Sequence, residues 1–124
     1  MISCKLYPKE LLLSILPLVF KHAVERFREV VEEGLHANRL TIDDVDLMIL
    51  HQANMRIAEA VAETFNLSPD RLFNNIHKYG NTTAASIPIA LDEAVEQGRI
   101  ETGDLVVLAA FGSGFTWAAA VMRW

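Results

Sequence analysis

The chain has 124 residues, a length that fits one domain, or a piece of a larger one, with a single modest core. Its net charge of −5 and pI near 5.3 argue against a nucleic-acid partner, which would require a basic stripe. An apolar fraction of 52% and a mean hydropathy of +0.23 are high for a small free-standing domain, so more apolar surface is expected than the chain can cover without a partner.

Cys4 is the single cysteine, which excludes an intramolecular disulfide and fits a reducing cytoplasm, the expected location; no zinc-binding spacing accompanies it. Leu11 to Phe20 is apolar, but Ser14 and Pro17 break it and it is shorter than the roughly 20 residues that span a bilayer, so no membrane partner is expected. Lys5 and Lys9 precede that run as in a signal peptide, yet no small-residue cleavage site follows. Residues 1–18 show no amphipathic spacing and stay unassigned. From Val19 the pattern clears: Phe20, Ala23, Val24, Phe27, Val30, Val31 and Leu35 form a stripe opposite a charged face, which predicts a helix to about Asn38.

An acidic turn, Asp43-Asp44, leads into the apolar run Val45–Leu50, which reads as a buried strand with His51 at its carboxyl end. Ile57, Ala58, Val61, Ala62 and Phe65 predict a helix over about Ala53–Phe65. Ser68 and Pro69 then mark a helical start, Leu72, Phe73 and Ile76 a brief strand, and Gly80 a turn that other residues resist. A helix is expected from Thr82 or Thr83 to Gln97, with Gly98 as its stop and Pro88 as an anomaly inside it. Leu105–Phe111 reads as a strand, Gly112-Ser113-Gly114 as a reversal, and Phe115–Trp124 as a hairpin partner. The sum is an α/β arrangement of three layers around a mixed sheet of about four strands.

Polar clusters fall at three predicted element ends: His51 to Asn54, Gly80 to Thr83, and Gly112 to Gly114. Strand ends that lead into helices are where α/β sheets meet ligands. A neutral imidazole beside a carboxamide offers two N–H donors to an enolate or oxyanion, and the glycine turn offers the Ser113 backbone N–H to a second one. Each cluster also has a plainer reading, as a structural histidine, a turn with a helix cap, and a tight reversal. No phosphate-cradling G-x-x-x-x-G-K run occurs.

Three motifs taken together are more specific. His51-Gln52-Ala53-Asn54-Met55-Arg56-Ile57, then Gly80-Asn81-Thr82-Thr83-Ala84-Ala85-Ser86 beginning just before a position 30 after the histidine, then Ala110-Phe111-Gly112-Ser113-Gly114-Phe115-Thr116-Trp117, closely resemble the C-terminal half of 3-oxoacyl-acyl-carrier-protein synthase III. The likeness covers residues 19–124, which would form a C-terminal ketoacyl synthase III-type domain. It implies the C-terminal half of a thiolase-like fold, a mixed sheet flanked by helices, and a Cys-His-Asn active site. In that family the cysteine takes the acyl group from acyl-CoA, and malonyl-acyl-carrier-protein loses carbon dioxide to attack the resulting thioester.

The family's histidine and asparagine match His51 and Asn81, which would hold the malonyl thioester carbonyl as the enolate forms. Ser113 would supply its N–H to the acyl oxyanion hole. Asn54 would lie near the pantetheine arm, Phe111 beside the site, and Arg56 and Lys21 near its entrance, where a phosphate or an acidic carrier protein arrives. The resemblance implies acyl-CoA and malonyl-acyl-carrier-protein as substrates, no cofactor and no metal. The family's nucleophile belongs to an N-terminal half absent from this chain, and Cys4 sits in no matching context. Leu16-Pro17-Leu18 replaces a glycine-asparagine pair, and Glu63 stands where some members carry basic residues. The expected partners are therefore the missing N-terminal half or a homodimer mate, together with acyl-carrier protein and CoA thioesters. A polyketide or alkylquinolone-type synthase and a non-catalytic assembly domain remain the alternatives, and the chain alone is expected to be inactive.

Overall fold

The computed structural model describes residues 9–112 and 114–124, and the chain opens there with one long helix, α1 (Lys9–Ala37). Its inner stripe is Ala23, Phe27, Val31 and Leu35, spaced so that each stacks over the last, and all of them are buried. Its outer face carries exposed charges such as the Arg28–Glu32 pair at 2.9 Å and the Lys21–Glu25 pair at 3.8 Å, which add little stability. The helix starts ten residues before the expected Val19. A leucine-rich segment has the backbone propensity for helix without any stripe, and α1 runs across Pro17 at the cost of a hydrogen bond. Phe27 and Val31 pack on the sheet as expected, but Phe20 is only half-buried.

The sheet has the order β2-β1-β3-β4, formed by β1 (Leu47–Leu50), β2 (Leu72–Phe73), β3 (Leu105–Gly112) and β4 (Thr116–Arg123). β1 pairs in parallel with β2 and β3, and β3 pairs antiparallel with β4, so the sheet is mixed as expected. All of β1 is buried, which is why it reads as an unbroken apolar run rather than an alternation. Met48, Leu50, Val107 and Ala109 face α1 and α2 (Met55–Thr64), where Ala58, Val61 and Ala62 meet them. Leu47, Ile49, Phe73 and Val106 face the other way, toward Ala90 and Ala94 of the C-terminal helix of the second layer, Ser86–Glu96.

Two clamps set the sheet edges. After a 3-10 turn at Pro69–Arg71, opened by Ser68 and Pro69 as expected, the Arg71 guanidinium donates to the carbonyls of Ile42 at 2.6 Å and Val45 at 2.6 Å, tying β2 to the start of β1. The Asp46 carboxylate accepts the Leu105 N–H at 2.7 Å, which aligns β3 with β1.

Ile76 does not extend β2; it opens a short helix, α3 (Ile76–Tyr79). The Asn75 and Ile76 N–H groups are taken by the Gln52 side chain at 3.1 Å each, so no strand can claim them. The next helix, α4 (Ser86–Glu96), also begins later than expected, behind a 3-10 turn at Thr83–Ala85. That start removes the Pro88 anomaly, because Pro88 falls in the first turn, where N–H groups have no acceptor within the helix. Gly98, at φ +66°, ends α4 as expected, with Arg99 N–H reaching back to the Ala94 carbonyl at 2.8 Å.

α4 is tied to α3 by a polar knot. Glu93 accepts from Asn75 Nδ2 at 2.8 Å, from Gln97 Nε2 at 3.0 Å and from the Lys78 ammonium. Lys78 first, and Asn75 after it, hold the Glu93 carboxyl below the ordinary carboxylate range. A folded-state pKa depressed in this way contributes stability that is complete above the unfolded-state value and is lost as pH falls through the folded one. Glu93→Gln should therefore lower the melting temperature at pH 7, and the wild-type advantage should disappear on acidification below the ordinary glutamate range, near pH 4. A difference that persists unchanged at pH 2 to 3 in thermal melts would show that the carboxylate is not what ties the helices together.

Candidate active site

Parallel pairing brings the carboxyl ends of β2, β1 and β3 to one edge of the sheet, and His51 leaves the end of β1 there. His51 is the first residue beyond β1, and its N–H donates to the Ala109 carbonyl at 2.8 Å, so its backbone is held in sheet register with β3. Its Nδ1 lies 2.6 Å from Ser86 Oγ at the start of α4. Burial pushes the imidazole pKa below its ordinary value, which keeps the ring neutral at pH 7.

Asn81 arrives by a different route. α3 ends at Gly80, whose φ of 68° and ψ of −160° lie in a region essentially closed to residues with a Cβ, and this turn delivers Asn81 to the same edge. The Asn81 carboxamide oxygen accepts the Thr83 N–H at 2.9 Å, which leaves the Nδ2 group as a donor. Thr83 itself has a φ of +52°, a strained conformation for a β-branched residue, costing on the order of 1–3 kcal/mol.

His51 and Asn81 line one cavity of about 710 Å³, together with Thr83, Phe111, Gly112 and Trp117. Phe111 packs between Phe115, with ring centroids 5.1 Å apart, and Phe27 of α1, at 6.2 Å. Among the described residues that line it, none bears a formal charge other than through protonation of His51. Polar N–H donors in an apolar, carboxylate-free wall favour an oxygen on which negative charge develops. Among the described residues no cluster of three metal-ligating side chains occurs.

The other expected site residues are placed differently. Phe111 lines the cavity, whereas Lys21 on α1 and Arg56 in the first turn of α2 are exposed and do not. Asn54 caps α2, its side chain accepting the Arg56 N–H at 2.9 Å, and it too lies off the cavity wall. Ser113 lies outside the described residues, as does Cys4. On either side of that turn space for a side chain is short: a Cβ on Gly114 would meet Thr116 Cγ2 at 2.9 Å, too close without a shift, and one on Gly112 would meet Thr116 Oγ1 at 3.3 Å, a tight contact.

Two residues behind the site escape a sequence reading. Ser86 is 2% exposed and bonds both the His51 ring and, at 3.2 Å, the Gln52 N–H. Gln52 is 3% exposed; its Nε2 donates to the Leu50 carbonyl at 2.8 Å while its oxygen receives Asn75 and Ile76. Gln52 therefore joins the His51 turn to the helix that ends in Gly80-Asn81. A polar residue two positions after a buried strand is the available signal, but the partners lie 23 and 24 positions away.

A mixed sheet with helices on both faces and a His–Asn pair at its carboxyl edge defines half of a thiolase-like fold. Solved 3-oxoacyl-[acyl-carrier-protein] synthase III from Aquifex aeolicus superposes with a TM-score of 0.85 at 46% identity, over 87% of this chain and 35% of that one. The enzyme of that name from Thermus thermophilus superposes with a TM-score of 0.84 at 47% identity, over 87% and 34%. The family model for the C-terminal part of 3-oxoacyl-[acyl-carrier-protein] synthase III matches residues 35–124, and the chain belongs to that family. The beta-ketoacyl-[acyl-carrier-protein] synthases III of Roseiflexus castenholzii and Synechocystis are 54% and 48% identical over 106 residues, 86% of this chain. The chain spans about a third of the length of these relatives, 32% in each case.

The Gln52 strut yields a position-specific expectation. Gln52→Ala should speed hydrogen exchange at the Asn75 amide, which loses its acceptor, more than at Ile76, which keeps Asn74 Oδ1 at 3.2 Å. Stability should fall by about 1–3 kcal/mol for the buried group left unpaired. Equal protection at both amides in wild type and variant would rule out the strut.

Proposed function

We propose that this chain is the C-terminal portion of a beta-ketoacyl-acyl-carrier-protein synthase III, and that residues 19–124 are its domain. The observation that carries the reading is the convergence of His51 and Asn81, 30 positions apart, on one uncharged cavity at the carboxyl edge of the sheet. In the proposed reaction a cysteine thiolate supplied by the rest of the enzyme attacks acyl-CoA, forming an acyl thioester and releasing the CoA thiolate. Malonyl-acyl-carrier-protein then loses carbon dioxide, and the electron pair of the broken C–C bond becomes an enolate. N–H donors on His51 and Asn81 hold the enolate oxygen. Its carbon attacks the acyl thioester, the new C–C bond forms, and the cysteine thiolate leaves.

The remaining placements follow from the same reading. The Ser113 N–H receives the oxyanion of the acyl thioester, and Phe111 forms the apolar wall beside it. Lys21 and Arg56, exposed cations on α1 and α2, receive a phosphate or an acidic carrier protein, and Asn54 lies near the pantetheine arm. Trp117, Phe115, Leu18 and Trp124 leave large apolar groups exposed, surface that suits burial by the rest of the synthase or by a homodimer mate. The enzyme works in the cytoplasm without a cofactor.

Two tests separate the roles. Joined to the complementary N-terminal portion of the Roseiflexus castenholzii relative, Asn81→Asp should suppress malonyl decarboxylation by roughly 100- to 1000-fold, the loss typical of one oxyanion donor, and acylation of the cysteine far less. Equal loss of both half-reactions would overturn the division of roles. Incubated alone with acyl-CoA, the chain should gain no acyl mass and show no turnover; a productive adduct on Cys4 would contradict the need for a second portion.

A further inference from the structure

We infer that Ser86 is a positioning residue for this site: its hydroxyl donates to His51 Nδ1 and so fixes the imidazole as the tautomer that carries its proton on Nε2. The use of that proton rests on the condensing reading above, but the assignment follows from hydrogen-bond accounting alone. The Gln52 backbone N–H can only donate, so Ser86 Oγ accepts from it at 3.2 Å. The hydroxyl has one proton of its own and is 2% exposed, so that proton needs an acceptor within the protein.

His51 Nδ1, at 2.6 Å, is the acceptor in reach among the described residues, provided that it carries a lone pair rather than a proton. The opposite tautomer would aim two N–H groups at one oxygen and leave the serine proton buried without a partner. With Nδ1 occupied, Nε2–H is the nitrogen left for the cavity that His51 lines. Asn81 is prepared in the same manner, since its oxygen is occupied by the Thr83 N–H and its Nδ2 remains. Each donor thus has its acceptor end consumed by the fold.

The test reads the ring nitrogens rather than activity. A two-bond ¹H–¹⁵N correlation spectrum of the ¹⁵N-labelled chain should show His51 Nε2 protonated and Nδ1 unprotonated, by roughly tenfold or more in population. Ser86→Ala should move the two ¹⁵N shifts toward each other, and Ser86→Thr, which keeps a hydroxyl, should restore their separation. A wild-type His51 protonated on Nδ1 would overturn the inference whether or not either variant folds. So would an unchanged tautomer in a folded Ser86→Ala chain, shown by an otherwise intact amide spectrum. An Nε2-protonated wild type that fails to condense once completed would count against the proposed reaction and support this assignment.

Discussion

Parallel pairing of β1 between β2 and β3 is the constraint from which the site follows. Parallel strands point the same way, so their carboxyl ends share an edge, and the residues leaving those ends meet although they are far apart in sequence. The register of Leu50 with Ala109, continued by the His51 N–H to the Ala109 carbonyl, places the histidine beside the last residues of β3, just short of its end at Gly112. A slip of one residue would turn both buried faces of β1 over and move His51 away from the cavity. The antiparallel hairpin of β3 with β4 then adds Trp117, opposite Phe111, as a wall of the same cavity.

A second layer of hydrogen bonds converts proximity into orientation. Ser86 and Gln52 contact the His51 turn, Thr83 engages Asn81, and Gly80 supplies the backbone conformation that delivers it. Gln52 also reaches the start of α3, and Glu93 reaches α3 from α4, so the elements that carry the two donors are joined to each other through buried polar groups. Such networks are stabilising only when every member is satisfied, and no buried side-chain nitrogen or oxygen among the described residues lacks a partner. The strain at Thr83 sits within this arrangement, beside the donor it helps to orient.

The amino-acid sequence by itself determined the layers and pointed to His51 and Asn81, which the fold brings to one cavity. The stripe from Ala23 to Leu35, the unbroken apolar run of β1, the turn at Gly80 and the stop at Gly98 each follow from local periodicity or from backbone sterics, which need no distant partner. Three motifs in order carried the family, which the comparisons bear out. Tertiary structure decided whatever depends on a remote atom. Ile76 leaves the sheet because Gln52 takes its N–H. α4 starts at Ser86, which makes Pro88 harmless and sets the serine hydroxyl against a histidine 35 positions away. Helix periodicity reports which face is buried, but a hydrogen bond between side chains depends on distance in space, and only the packed fold sets that distance.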